Sequence, residues 1–127
     1  MKSPLKMAVF SDIHLGHMKN DTADIIKNLD NAMKDKAWLR ELDVLFLSGD
    51  VFDRLLYLPE DSSNAIRLWI SHMLRMCAEY DIILRVLEGT PSHDWGQPEL
   101  FISTNVIGDI KANVKYQSTL CIEHIPE

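Results

Sequence analysis

The stretch Asp43-Val44-Leu45-Phe46-Leu47-Ser48-Gly49-Asp50 decides the fold. Four apolar residues in a row, closed by a Ser-Gly-Asp turn, read as a short strand buried on both faces of a parallel sheet. The same pattern stands on either side. Upstream, Lys6–Phe10 is apolar and ends at Ser11-Asp12; downstream, Asp81–Leu87 carries two Ile and a Val and runs into a Gly/Pro-rich loop over Glu88–Pro98. Between the first two strands, Asn20-Asp21-Thr22 offers cap residues, and Ile25, Ile26, Leu29, Met33 and Ala37 recur at helical spacing, predicting a helix from about Thr22 to Leu39. Between the second and third, Pro59, Asp61 and Ser62 mark a helix start, and Ile66, Trp69, Ile70, Met73, Leu74 and Cys77 form an apolar stripe to about Tyr80. Pro98-Glu99 opens a short helix through Ile107, Val114–Tyr116 reads as a fourth strand, and the tail from Ser118 reads equally as strand or helix. Strands alternating with helices predict an α/β fold, a mostly parallel sheet flanked by helices and joined by right-handed crossovers.

Composition narrows the class. The chain has 127 residues, 46% hydrophobic and 25% charged, with five Gly and five Pro, which fits one globular domain and excludes collagen-like and low-complexity chains. No apolar run approaches the ~20 residues needed to span a bilayer, and Met1–Phe10 lacks the apolar core of a signal peptide. Cys77 and Cys121 form no CxxC pair, so reduced thiols and a cytoplasmic location are expected. Thirteen Lys+Arg against 19 Asp+Glu give a net charge of −6. That excludes a basic-patch nucleic-acid binder, though acids that ligate divalent cations invert the local sign.

In parallel sheets the functional residues gather beyond the carboxyl ends of the strands. Three such ends here carry unusual residues. Asp12-Ile13-His14 follows the first strand; residues two apart on an extended chain point the same way, so an Asp oxygen and a His nitrogen converge on one cation, a mixed set suited to Mn, Fe or Zn. Ser48-Gly49-Asp50-Val51-Phe52-Asp53 follows the second, where Gly49 lets the backbone turn sharply and Asp50 can bridge two cations. Gly89-Thr90-Pro91-Ser92-His93-Asp94 follows the third, where a His beside an Asp makes a poised acid. Singly, each has a bland reading: a surface Asp-x-His, a Gly-Asp turn with a capping Asp53, a solvated loop His.

Together, near residues 12, 50 and 93, they resemble the calcineurin-like metallophosphoesterase superfamily. The wording Ser11-Asp12-Ile13-His14-Leu15-Gly16 and Ser48-Gly49-Asp50-Val51-Phe52-Asp53 is similar to the nuclease subunit of SbcCD-type DNA repair exonucleases, phage versions included. The resemblance implies that Asp12 and His14 hold a first metal, that Asp50 bridges two divalent metals (Mn foremost, with Mg, Fe or Zn as alternatives), and that Asp53 supports the site by hydrogen bonding, with Gly49 and Gly89 shaping the loops. It implies that His93 contacts the scissile phosphate or protonates the leaving oxygen, and that Asp94 orients His93. The family wording of the third motif is Gly-Asn-His-Asp or Glu, the Asn being a ligand of the second metal. Here Ser92 takes the Asn position, two residues are inserted after the Gly, and Thr90 is the other candidate.

The family's later Gly-His-x-His ligands have no counterpart. The five histidines are His14, His17, His72, His93 and His124, and no two are separated by a single residue. Residues 1–127 therefore read as the N-terminal part of a metallophosphoesterase domain, with an exposed sheet edge or apolar face expected. The resemblance implies a DNA substrate, an SbcC-type ATPase partner, and a homodimer or a complementing C-terminal fragment. Its expected activity is that of a dimetal phosphodiesterase, the catalytic-site half of a Mn-dependent DNA exonuclease or endonuclease in repair or recombination. Two other readings stand beside it: a small-molecule phosphatase or phosphodiesterase, which the acidic charge favours, and a catalytically incomplete module that binds an ATPase or nuclease partner. His17 is a weak candidate for substrate contact against a solvated loop His. Trp95 has the same two sides, stacking on a base or packing its loop. His72 and His124 read as surface residues, and Trp38 and Trp69 as core or interface.

Overall fold

A computed structural model of the chain describes residues 4–56 and 61–125. The elements run β1 (Met7–Phe10), α1 (Thr22–Ala32), α2 (Lys36–Glu41), β2 (Val44–Ser48), α3 (Asp61–Glu79), β3 (Ile83–Leu87), a single turn α4 (Pro91–Asp94), a 3-10 turn (Gln97–Glu99), α5 (Leu100–Ile107) and β4 (Val114–Gln117). The four strands form one parallel sheet in the order β1-β2-β3-β4, with Met7 beside Val44, Val44 beside Ile83 and Leu84 beside Val114. The α/β class read from the strand–helix alternation is the observed one. Of the anticipated start of the long third helix, Pro59 lies outside the described residues.

The helix expected as one piece over Thr22–Leu39 is two. α1 stops at Met33, whose N–H turns back onto Leu29 and Asp30, and Asp35 opens α2 by accepting the N–H groups of Ala37 and Trp38. A side chain that satisfies orphan amides at a new N-terminus competes with continuing the old helix.

Sequential strand order places crossovers of one hand on one face. Accordingly α1 packs on α3 and α3 on α5, making a single helix layer. Leu45 and Leu47 of β2 and Leu84 and Val86 of β3 point into the core beneath that layer, with Ile66, Ile70, Met73 and Leu74 of α3, Leu29 of α1 and Phe101 of α5. Each of these buried side chains contributes about 1.5–3 kcal/mol by leaving water. The alternate residues face the other way, where no helix lies among the described residues. Met7 and Val9 are 57% and 60% exposed on that open face, the apolar surface anticipated from the sequence.

One polar group is buried on the open face. Arg85 of β3 is paired by Glu123, which accepts from Nε (2.8 Å) and Nη2 (2.7 Å), while Nη1 donates to the carbonyls of Leu84 and Asn113 and to the Asn113 side chain. The tail after β4 is therefore neither strand nor helix but an irregular segment held across the sheet by Glu123. Both cysteines are free; burial pushes the Cys77 thiol up to about 12, and Cys121 is exposed. Among the described residues no helix is long and apolar enough to cross a membrane.

Candidate metal centre

The loops after β1 and β2 zip along one another beyond the sheet. Asp12 N–H donates to the Gly49 carbonyl (3.2 Å), His14 N–H to Asp50 (2.9 Å), Leu15 N–H to Val51 (2.8 Å), and Asp53 N–H returns to Leu15 (2.9 Å). Leu15 and Phe52 form an isolated parallel bridge, both fully buried, so the chain is anchored between the polar residues. On the outer side, the buried Thr22 hydroxyl at the head of α1 accepts the Gly16 N–H. Arg54 Nε donates to the Gly16 carbonyl.

The convergence of Asp12 and His14 does not come from extended backbone. Asp12, His14 and Asp50 all have left-handed φ, at 54°, 57° and 51°. Asp and His are among the few side chains that take this region at modest cost. Three such residues around one point mark a site held in shape by its surroundings.

The third loop is brought in by Asp94. Its fully buried carboxylate accepts the N–H groups of Asp50 (3.0 Å), Phe52 (2.9 Å) and Gly89 (2.6 Å), tying the β2 and β3 loops together. The backbones at Gly49 and Gly89 then touch. A Cβ on Gly89 would collide with the Asp50 amide and carboxylate, and Gly49 has φ 93°. Both glycines anticipated as loop-shaping thus have a steric reason for their identity.

What these loops gather is His14, Asp50 and His93. Ligand atoms from all three lie within 4.8 Å of one another, and the three side chains are half-buried. The His14 and His93 rings meet edge to face with centroids 5.0 Å apart, and His93 Nδ1 is 3.3 Å from Asp50 Oδ2. Burial works to raise the Asp50 pKa, but the Thr90 N–H, the His93 ring and the Thr90 hydroxyl outweigh it and hold the carboxyl below its ordinary value. Asp50 is therefore an anion poised between two imidazoles. Two imidazole nitrogens and a carboxylate lie close enough together here that they could hold a metal ion.

The remaining anticipated residues fall around this trio in distinct ways. Asp53 Oδ1 is 3.1 Å from His14 Nδ1, the place of a carboxylate that orients a ligating His from behind; Nδ1 is buried and the alignment stops short of a hydrogen bond. Asp12 stands at the exposed rim, its Oδ1 3.8 Å from His14 Nε2. The carboxylate that meets His93 belongs to Asp50, whereas Asp94, the residue expected to orient His93, spends its oxygens on backbone amides. Of the two candidates for the Asn position, Thr90 reaches the site: its N–H and hydroxyl both donate to Asp50. Ser92 is exposed and accepts the Trp95 indole N–H through its carbonyl. His17 turns onto its own loop, where Nδ1 accepts the N–H groups of Lys19 and Asn20 at 3.0 Å each. Glu88 and Gln97, not singled out in the sequence, brace the third loop. Glu88 accepts from the Gly96 N–H and the Tyr116 hydroxyl, and Gln97 joins Leu56, Arg54 and Asp94. Neither belongs to a motif; only their position after strand β3 hinted at them. No protein family, curated protein or solved structure matches this chain.

Proposed function

We propose that the chain is a metal-dependent phosphodiesterase whose substrate is DNA, a nuclease of the SbcD type acting in repair or recombination. The observation that carries this reading is the His14–Asp50–His93 convergence at the carboxyl ends of parallel strands, flanked by Asp12 and Asp53. Among the described residues it is the one group of three His, Cys, Asp or Glu side chains close enough to hold a metal ion.

In this reading His14 and Asp50 hold divalent metal, with Asp12 closing from the rim and Thr90 offering a neutral oxygen beside Asp50. Asp50 would be the ligand shared by two such ions, Mn foremost. Divalent metal bound there supplies Lewis-acid polarisation of a phosphoryl oxygen and activation of water near neutral pH. His93, held by Asp50 at Nδ1, keeps Nε2 for a proton delivered to the leaving oxygen, a contribution of roughly 10²–10⁴-fold. Asp53 fixes the His14 ring, and Asp94 fixes the two loops that carry Asp50 and His93. The same reading extends to an SbcC-type ATPase as partner and to a homodimer.

The test is cleavage of end-labelled single- and double-stranded DNA by the 127-residue chain with and without Mn, alongside Asp50→Asn. The expected result is Mn-dependent cleavage that the variant lacks. A folded chain that binds Mn and cleaves neither DNA would overturn the nuclease reading, and one that binds no divalent metal would overturn the metal centre.

A further inference from the structure

Trp95 follows the third loop motif and is 56% exposed. Its backbone is left-handed, with φ 52°, and Gly96 continues in the same region at φ 69°. A bulky aromatic residue there is strained and persists only where neighbours hold it. They do so on every side. The Trp95 N–H donates to the Pro91 carbonyl (3.1 Å) and the indole Nε1 to the Ser92 carbonyl (2.8 Å). The Gly96 N–H donates to Glu88 Oε2 (2.8 Å), and Glu88 Oε1 accepts the Tyr116 hydroxyl (3.2 Å). The Gln97 carboxamide accepts the Leu56 N–H and donates to the carbonyls of Arg54 and Asp94. The result is a flat aromatic face, fixed in place and open to solvent.

That face borders a cleft of about 370 Å³ between α3, the 3-10 turn and α5. Leu56, Ile66 and Leu100 give it apolar walls, and Arg67 and Ser103 stand on its lining. Gln97 also lines it, but its carboxamide is already committed to the loop. The cleft thus offers a stacking surface, hydrophobic walls and a cation, with the Glu99 carboxylate and Ser63 also on its lining. Trp95 is two residues from His93 and adjoins Asp94, whose carboxylate holds the Asp50 amide. The cleft and the candidate metal centre share one loop.

We infer that this cleft receives a nucleobase, stacked on the Trp95 indole, of the nucleotide whose phosphate lies at the His14–Asp50–His93 centre. The choice of ligand rests on the phosphodiesterase reading above. Stacking is sequence-tolerant because every base has a π-face, so the cleft binds purines and pyrimidines alike, purines more tightly through their larger area. In a chain of net charge −6, stacking supplies binding that phosphate attraction does not.

The test is a titration of the metal-free, 15N-labelled chain with dAMP, following by NMR the three indole N–H signals and, in the variants too, the backbone amides of the cleft residues Gly96, Gln97 and Leu100, with deoxyribose 5-phosphate as the base-free probe. Trp95→Gly keeps the left-handed backbone without strain, and Trp95→Phe keeps a ring; the Trp38 and Trp69 signals report that each variant is folded. The expected result is a saturable shift of the Trp95 signal with dAMP and none with deoxyribose 5-phosphate. Binding is expected to be roughly 5- to 150-fold weaker in Trp95→Gly and largely kept in Trp95→Phe. Equal response to both probes, or unchanged affinity in Trp95→Gly, overturns the inference. Because no metal is present, the two readings fail separately: dAMP binding without DNA cleavage keeps the cleft and loses the nuclease, and cleavage with a silent Trp95 does the reverse.

Discussion

The Asp94 carboxylate accepts the backbone N–H of Asp50 at 3.0 Å, across 44 residues of sequence. With its bonds to Phe52 and Gly89 it makes one side chain the clamp between the two loops that carry the candidate metal ligands. Hydrogen bonds to a carboxylate are stronger than those between neutral groups.

Replacing Asp94 therefore acts first on stability. Asp94→Ala orphans three backbone N–H groups at once, at a cost of about 3 kcal/mol or more. Asp94→Asn costs less but still turns a donor toward a donor. Urea unfolding and Mn titration are expected to fall together in both variants. Loss of turnover with stability and metal affinity unchanged would return Asp94 to the role of orienting His93.

Gly89→Ala is expected to be as disruptive without replacing any ligand. The new Cβ meets the Asp50 amide and carboxylate, so either the Gly49–Gly89 contact opens or Asp50 moves. A cost of about 1–3 kcal/mol in overpacking follows, together with at least tenfold weaker Mn binding. Calorimetric titration of the variant against the wild-type chain checks both.

The sheet was legible in the sequence because β1, β2 and β3 are short, mostly apolar runs closed by turn signals, and β2 announced itself through Val44–Leu47 followed by Ser48-Gly49-Asp50. The three polar loops were legible for the same reason, since parallel strands present their carboxyl ends together. The break between α1 and α2 was masked by an apolar stripe that continues through it; only the capping geometry of Asp35 reveals a new start. Which carboxylate faces His93 was not legible either. Asp94 is the chain neighbour, but a neighbour on a one-turn helix points elsewhere, and Asp50 arrives from 43 residues away. Arg85 was hidden in a hydrophobic strand, and its partner Glu123 in a tail without periodicity.

That pair sets a pH dependence. The Arg85 hydrogen bonds, with its charge and that of Lys115, hold the Glu123 carboxyl below its ordinary value of 4.5 despite its partial burial. A group whose folded pKa is depressed stabilises the fold above its unfolded value and loses that contribution as pH falls through the folded one. Chain stability is therefore expected to be level above about pH 4.5 as far as Glu123 is concerned, and to decline below it. Glu123→Gln should remove about 1–3 kcal/mol at pH 7 and flatten that acid limb, read by urea unfolding at a series of pH values. An unchanged acid limb in the variant would mean that other carboxylates govern it.

His93 can serve the centre as a ligand or, in the proposed reading, as an acid. Its Nδ1 faces Asp50 Oδ2 at 3.3 Å, the contact that fixes an imidazole for proton transfer through the opposite nitrogen. Asp50 then serves His93 as the carboxylate of an acid pair while also holding metal. His93→Ala is accordingly expected to keep Mn affinity within a few-fold of the wild-type chain and to lower kcat by roughly 10²–10⁴-fold. His93→Gln, which restores a hydrogen bond but no transferable proton, should likewise keep affinity and not restore turnover. Mn affinity reduced tenfold or more in His93→Ala would instead make His93 a ligand and leave the proton to solvent. Parallel titrations and single-turnover rates on one DNA substrate separate the two, because the acid role moves only the rate and the ligand role moves both.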